Sequence, residues 1–126
     1  MRLACLLVPL ALVACGGSGG GSNQAPAEID LTATGATAGG NPTVNITIPS
    51  GGQLHFLNKD TKPHQITSPE CAEINTPQLA PNQDSPMITV TGGPKACTFK
   101  DSLNPNNTAY SGNITVSAPG TPGGGY

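Results

Sequence analysis

Alternation of apolar and polar side chains is the strongest pattern along this chain, and it occurs in short segments between residues 43 and 116. The clearest segment, Thr43–Ile48, is followed by Pro49–Gly52, which has the composition of a turn. Another alternating segment, Met87–Thr91, leads into the turn signal Gly92–Pro94. A period of two residues predicts strands with one buried face. The residues predicted to face inward are Val44, Ile46, Ile48, Leu54, Phe56, Ile88, Val90, Ile114 and Val116.

Weaker patterns add further strands, and the sequence shows no convincing helical period. Ile29–Thr34 predicts an early edge strand, and His64–Thr67 predicts a short strand that stops before Pro69. Ala96–Phe99 is predicted to return the chain after the Gly-Pro turn. Pro and Gly at their observed spacing would break a helix. Many short strands, with turns at intervals of roughly ten residues, predict an all-β sandwich or barrel.

The N-terminal segment predicts export and a lipid anchor. A short basic start, Met1–Arg2, precedes the apolar run Leu3–Val13, which is too short to cross a bilayer and is typical of a signal peptide. Cys15 directly follows Leu-Val-Ala, which resembles the lipobox of bacterial lipoproteins. The resemblance implies removal of residues 1–14 and acylation of Cys15. The alternative is an ordinary secretory signal with an incidental cysteine.

The lipobox resemblance also implies a location. We expect a protein of the bacterial cell envelope, anchored by lipid to the periplasmic face of the outer membrane or to the cell surface. Residues 15–25 form a Gly/Ser-rich tether, residues 26–118 a single small domain, and residues 119–126 a Pro/Gly-rich tail predicted to be disordered. The formal net charge of −2, without a basic stripe, excludes a nucleic-acid partner. The expected partners are the membrane, through Cys15, and an envelope protein.

The cysteines predict one disulfide. Cys5 leaves with the signal peptide, and Cys15 is the lipid site. Cys71 and Cys97 then remain in an oxidising compartment, where a disulfide between them is expected. Closing this loop stabilises the domain by about 3 kcal/mol in the chain-entropy model. The alternative is a free Cys97 that binds a metal as a thiolate.

Several segments, in their order along the chain, resemble the cupredoxin family of plastocyanin- and azurin-like proteins. The strand and turn Val44–Gly52 lead to Leu54–Asp60, and His64 follows a few residues later. Gly93–Phe99 resembles the penultimate strand of the family, and Gly112–Val116 resembles its closing strand. The resemblance implies a Greek-key β-sandwich with His64 at the position of the first copper-binding histidine.

The same resemblance implies a degenerate type 1 copper site. The position of the family's copper-binding cysteine falls on Asp101, between Lys100 and Ser102, and neither His nor Met follows before Gly112. A type 1 site takes two imidazoles, a thiolate and a weak axial ligand. His55, the other imidazole, alternates with the inward-facing residues of its strand and is expected to face solvent.

His64 and Asp101 are left as a candidate metal pair. An imidazole and a carboxylate suit weak binding of Cu(II), Zn(II) or a similar cation, and Asp60 would be a further oxygen ligand. The alternative is a structural role, in which Asp101 accepts hydrogen bonds within its loop or forms a salt bridge with His64.

The sequence predicts a binding protein rather than an enzyme, and it offers no catalytic residues. It lacks nucleophile and phosphate-loop motifs, and it has only two histidines to activate a nucleophile. The expected function is a non-enzymatic binding or scaffold module without a cofactor. If the protein binds a metal, the expected metal is copper. The alternative is a copper-binding or electron-transfer protein that uses His64 with a nonstandard ligand shell.

Overall fold

The computed structural model describes residues 24–120; the predicted signal peptide, Cys15 with the tether to residue 23, and residues 121–126 of the tail lie outside this range. Within it, no helix is long and apolar enough to cross a membrane. Two short 3-10 helices span Ala72–Ile74 and Thr108–Tyr110. The strands are β1 (Ala27–Thr32), β2 (Gly35–Ala38), β3 (Val44–Pro49), β4 (Gln53–Asn58), β5 (Ile66–Thr67), β6 (Ile88–Thr89), β7 (Lys95–Asp101) and β8 (Gly112–Ser117).

The strands form two four-stranded sheets that share one hydrophobic core. The order is β2-β1-β4-β6 in the first sheet and β3-β8-β7-β5 in the second. β1 pairs with β4 and β3 pairs with β8 in parallel, whereas the other pairs are antiparallel. In each parallel pair, the two strands are separated in the chain by at least one strand of the other sheet. The chain therefore crosses between the sheets on its way from β1 to β4 and from β3 to β8. The all-β sandwich that the alternation predicts is confirmed.

The core lies between the inner faces of the two sheets. All the residues predicted to face inward are buried except Ile46, which is half-buried and packs against the edge of the core. Phe56 of the first sheet and Phe99 of the second meet edge to face, with ring centroids 5.4 Å apart, a geometry that aromatic pairs prefer. Gly112 makes room for this contact, since a Cβ there would lie 2.6 Å from the Phe99 ring.

The first sheet differs from the prediction in two ways. The predicted edge strand Ile29–Thr34 is β1, which begins and ends two residues earlier and lies inside the sheet, between β2 and β4. The edge is instead β2, which the alternation does not predict because its side chains are small. Gly35 has a φ of 142°, and a Cβ there would lie 2.6 Å from the carbonyl oxygen of Ala109. Glycine therefore allows β2 to approach the second 3-10 helix closely.

The predicted disulfide between Cys71 and Cys97 is confirmed, with Cα atoms 5.6 Å apart. It joins the segment after β5 to β7, and both cysteines are buried. Beside it, the Thr98 hydroxyl donates a hydrogen bond to the Glu70 carboxylate, so the same segment is held to β7 twice. The alternative of a free Cys97 thiolate that binds a metal is therefore wrong.

Three strand ends meet at one pole of the sandwich, here called the site pole. β1 and β4 run parallel, so Leu31 and Asn58 lie side by side there, and β7 ends at Asp101 at the same pole. The described domain begins and ends at the opposite pole, where Ala27 opens β1 and Ser117 closes β8. The loops that carry His64 and Asp101 are thus remote from both described ends of the chain.

Candidate functional site

His64 lies at the site pole, in the connection between β4 and β5, and 1% of its surface is exposed. Its backbone is paired with that of Leu79: the His64 N–H donates to the Leu79 oxygen at 3.1 Å, and the Leu79 N–H donates to the His64 oxygen at 2.7 Å. Asn58, at the end of β4, donates from Nδ2 to the carbonyl oxygens of Lys62 and Leu79. These bonds fix the backbone from which the imidazole projects.

The imidazole of His64 lies between two buried carboxylates. Nδ1 is 2.6 Å from Oδ2 of Asp101, and Nε2 is 2.8 Å from Oδ2 of Asp60. Asp101 is fully buried and Asp60 is 6% exposed. We call these residues the Asp60–His64–Asp101 cluster. The structure thus brings together His64 and Asp101, the predicted pair, and adds Asp60 on the opposite edge of the ring.

Asp101 is held by hydrogen bonds on both of its oxygens. Oδ1 accepts from the backbone N–H groups of Gln65 and Leu103, at 3.1 and 3.0 Å. Oδ2 accepts from Nδ2 of Asn104 at 2.7 Å, in addition to its contact with His64. Burial is the largest influence on the pKa of Asp101 and raises it, but the hydrogen bonds, led by that of His64, outweigh burial and hold this pKa below its ordinary value.

Asp60 is also held on both oxygens. Oδ1 accepts from the backbone N–H of Thr61 at 2.7 Å, and Oδ2 faces His64. The hydrogen bond with His64 is the main reason that the pKa of Asp60 lies below its ordinary value, against the opposing effect of burial. Both carboxyl groups of the cluster are therefore stabilised in the ionised form.

Tyr110 covers the cluster from the second 3-10 helix. Its ring centroid is 4.4 Å from that of His64, and its hydroxyl donates to the Thr32 carbonyl oxygen at 2.7 Å and lies 3.3 Å from Oδ2 of Asp60. Burial, followed by the negative charge of Asp60, raises the pKa of Tyr110. Neither Tyr110 nor Asn104 is predicted as a site residue from the sequence. The sequence feature that could have identified Tyr110 is its position, an aromatic residue just before the closing strand β8.

The donor set does not fit a type 1 copper ion. Such a site takes two imidazoles and a thiolate, whereas the loop residue that faces His64 is the carboxylate of Asp101, and Cys97 is in the disulfide. Asp60 and Asp101 lie at opposite ring nitrogens of His64, so a metal bound to one nitrogen would have only one of these carboxylates on its side. Within residues 24–120, no group of three or more His, Cys, Asp or Glu residues is arranged to hold a metal.

A polar cleft of about 250 Å³ opens beside the cluster at the site pole. Asp60 and His64 are buried in its wall, and Lys62 and Asn107 are exposed at its rim. Tyr110 forms another part of the wall. The cleft thus presents cationic, amide and phenol groups to a ligand or partner, next to a cluster whose polar atoms are already hydrogen-bonded.

His55 lies on the outer face of β4, as its place in the alternation predicts, but it is largely covered, with 14% of its side chain exposed. Nδ1 is 2.6 Å from Oδ1 of Asp84, and Nε2 is 3.4 Å from Oε2 of Glu28. Both of these carboxylates are themselves well exposed. His55 therefore belongs to a separate, superficial group of a histidine and two carboxylates, and the structure does not bring it near His64.

No family model and no curated protein matches this chain, but solved structures match its fold. A methionine-to-alanine mutant of amicyanin in the Cu(I) form has a TM-score of 0.56 at 13% identity, covering 73% of this chain and 82% of its own. A purple cupredoxin from Nitrosopumilus maritimus has a TM-score of 0.52 at 22% identity, covering 72% and 99%. A copper-containing nitrite reductase from Thermus scotoductus has a TM-score of 0.55 at 19% identity, covering 75% and 23%.

These similarities define the class of fold. The described domain is an all-β sandwich with the cupredoxin fold and one disulfide, as the resemblance in the sequence predicts. Copper is named for the amicyanin and the nitrite reductase, and at these identities the likeness extends to fold alone. The function of this chain must therefore be argued from its own site residues.

Proposed function

We propose that this protein is a lipid-anchored, non-enzymatic binding or scaffold module of the bacterial cell envelope, built on a cupredoxin fold without a type 1 copper centre. The observation that carries the proposal is that both ring nitrogens of His64 face carboxylates, with Asp101 where a thiolate would be needed. A carboxylate oxygen is a hard ligand and does not form the soft bond of a copper–thiolate centre.

The buried cluster also argues against catalysis. A general base must have a free nitrogen or oxygen within hydrogen-bond reach of a substrate proton. Both nitrogens of His64 are engaged, and the ring is buried beneath Tyr110. His55 is likewise engaged by Asp84 and Glu28 on the outer face of the first sheet. Neither histidine is placed to activate a nucleophile.

The topology supports a role in presenting the site pole to a partner. The described chain begins near Ala27, at the pole opposite the cluster. A lipid on Cys15 and a Gly/Ser tether would therefore attach the domain by the far pole, leaving the polar cleft and the loop 101–111 directed away from the membrane. An envelope protein is the partner that such an orientation favours.

The anchor is tested by labelling cells that express the full chain with a fatty-acid analogue. We expect label on the wild-type protein and no label on Cys15→Ser, because that thiol is the acylated group. Cys5→Ser is the matched control, since residue 5 leaves with the signal peptide, and it should keep the label. Label that persists in Cys15→Ser, or a wild-type protein without label, would contradict the anchor.

The absence of a type 1 centre is tested by adding Cu(II) to the purified mature protein and recording visible absorption. We expect no intense charge-transfer band, because Asp101 faces His64 and the two cysteines of residues 24–120 are joined in the disulfide. The matched variant Asp101→Cys supplies that thiolate and should gain such a band. An intense band in the wild type would overturn the proposal. Tight colourless binding that is lost in both His64→Ala and Asp101→Ala would support the metal-handling alternative instead.

A further inference from the structure

In the Asp60–His64–Asp101 cluster, two buried carboxylates from different segments of the chain face one central group. Asp60 and His64 belong to the β4–β5 connection, and Asp101 ends β7. Tyr110 joins them from the second 3-10 helix. In a metal site, the ion at the centre holds such segments together. Here the group between the two carboxylates is the imidazole ring itself.

We propose that the central cation of this cluster is the imidazolium of His64, protonated on both ring nitrogens, and that it ties the site-pole loops together in place of a metal ion. The inference concerns the same site as the proposed function, and it rests on that proposal only for the absence of copper at His64. It requires neither the lipid anchor nor the envelope partner.

Hydrogen-bond chemistry carries this assignment. An ionised carboxylate only accepts hydrogen bonds, and a neutral imidazole donates from only one nitrogen. Each nitrogen of His64 lies within 2.8 Å of a carboxylate oxygen, so both must donate when both carboxylates are ionised. In a neutral ring, one nitrogen would point its lone pair at an oxygen of Asp60 or Asp101. At 2.6 to 2.8 Å, two acceptors facing each other repel.

The competing arrangement places a proton on one carboxyl group and leaves the ring neutral. For Asp101 it is disfavoured, because its two oxygens already accept from Gln65, Leu103 and Asn104. For Asp60 it is disfavoured because Oδ1 already accepts from the backbone N–H of Thr61. These donors stabilise the ionised form of both groups, which agrees with the lowered pKa of each.

The charges around the ring are then nearly balanced. One imidazolium lies between two carboxylates, which leaves a single net negative charge in the cluster. Within residues 24–120, the other titratable groups that face it are Tyr110, a neutral phenol, and Lys62, at the rim of the cleft. Ion groups persist in a protein interior only when they are paired and hydrogen-bonded. Here the ring contacts both carboxylates, and donors from Thr61, Gln65, Leu103 and Asn104 stabilise the remaining negative charge.

The direct test is a ring nitrogen–proton correlation spectrum of the ¹⁵N-labelled mature protein at neutral pH. We expect both ring nitrogens of His64 to carry slowly exchanging protons, as an imidazolium with two buried hydrogen bonds does. His55→Gln, which removes the other histidine, assigns the signals. A His64 ring with one bare nitrogen would overturn the inference, even if the protein takes up no copper.

A second measurement asks whether the charge of the ring organises the loops. In His64→Gln a neutral amide replaces the imidazolium, and we expect the Gln65 and Leu103 amides to lose hydrogen-exchange protection by at least about tenfold, because their acceptor Asp101 loses its charged partner. The control His55→Gln should leave both amides protected. Unchanged protection in His64→Gln would contradict the inference. If this variant does not fold, the spectrum of the wild type still decides.

Addition of one equivalent of Zn(II) to the labelled wild-type protein separates this inference from the metal-handling alternative. A metal that binds His64 must displace a ring proton, so the His64 signals should stay unchanged if the imidazolium is the resident cation. Loss of either ring proton on addition of Zn(II) would overturn the inference. Failure of the proposed function has a different signature, namely a copper–thiolate band or an unlabelled Cys15.

Discussion

The two histidines of this protein each lie between two carboxylates, but in very different surroundings. His64 is 1% exposed, and its partners Asp60 and Asp101 are buried with it. His55 lies on the outer face of the first sheet, and its partners Glu28 and Asp84 are exposed. The shortest contact is 2.6 Å in both groups. Distance alone would therefore rank the two groups as equals.

Burial makes them unequal. Surface ion pairs contribute about 0–1 kcal/mol, because water solvates the separated charges nearly as well as the partner does. A buried pair has no such alternative, and removing one partner leaves an uncompensated charge at a cost of about 3–5 kcal/mol. An imidazole between two carboxylates therefore forms a superficial group at His55 and a structural centre at His64.

The largest expected effect is that of removing one buried carboxylate. Asp101→Asn keeps the size of the side chain, yet it replaces one acceptor oxygen with an amide donor, which breaks the buried pair with His64 or the bonds from Gln65 and Leu103. It should reduce the free energy of unfolding by about 3–5 kcal/mol. The measurement is urea denaturation at neutral pH. Asp84→Asn makes the same change beside His55 and should cost less than about 1 kcal/mol. Equal losses in the two variants would show that burial does not distinguish the groups.

Much of the β-sandwich that carries the two histidines can be predicted from sequence. Alternation identifies Leu54, Phe56 and Ile114 as buried, because a strand with one covered face must repeat every second residue. It fails for β2, whose residues are too small to show a face, and for the interior place of β1. That place depends on the parallel pairing of β1 with β4, which is a property of the whole fold and not of a local segment.

The site is predictable only in part, and for a similar reason. The meeting of His64 with Asp101 follows from the cupredoxin resemblance, which fixes the order of the strands that carry them. The position of Asp60 on the second ring nitrogen depends on how the chain turns between β4 and His64. Tyr110 reaches the cluster only because a 3-10 helix places it above the ring. Loop conformations of this kind leave no periodic signal in the sequence.

The next effect in size is the response to acid. Asp60 and Asp101 have folded-state pKa values below their ordinary range, so each contributes stability that is present above its unfolded pKa and is lost as the pH falls through the folded value. The free energy of unfolding of the wild type should therefore fall below about pH 5. Urea denaturation between neutral and acidic pH measures it.

Two variants measure how much of the loss of stability in acid comes from the Asp60–His64–Asp101 cluster. Glu70 and Glu73 also have lowered pKa values, through Thr98 and Lys95 respectively, so the wild-type profile contains their contribution as well. Asp60→Asn should flatten the profile relative to the wild type, whereas Asp84→Asn should leave its slope unchanged. If Asp60→Asn has the same slope as the wild type, the cluster is not a source of the acid sensitivity.

The smallest expected effect is that of salt on the coupling within each group. Double-mutant cycles for His55 with Asp84 and for His64 with Asp101 give the two pairwise energies at about 0.1 M and about 1 M NaCl, where the screening lengths are about 10 Å and about 3 Å. The His55 coupling should be below about 1 kcal/mol and should shrink in high salt, because mobile ions reach the exposed Asp84 carboxylate. The His64 coupling should be larger and should change little, because ions do not enter the space between two buried side chains. A His64 coupling that falls with salt in parallel with that of His55 would mean that solvent reaches the cluster, and the contrast between the two histidines would then be one of degree only.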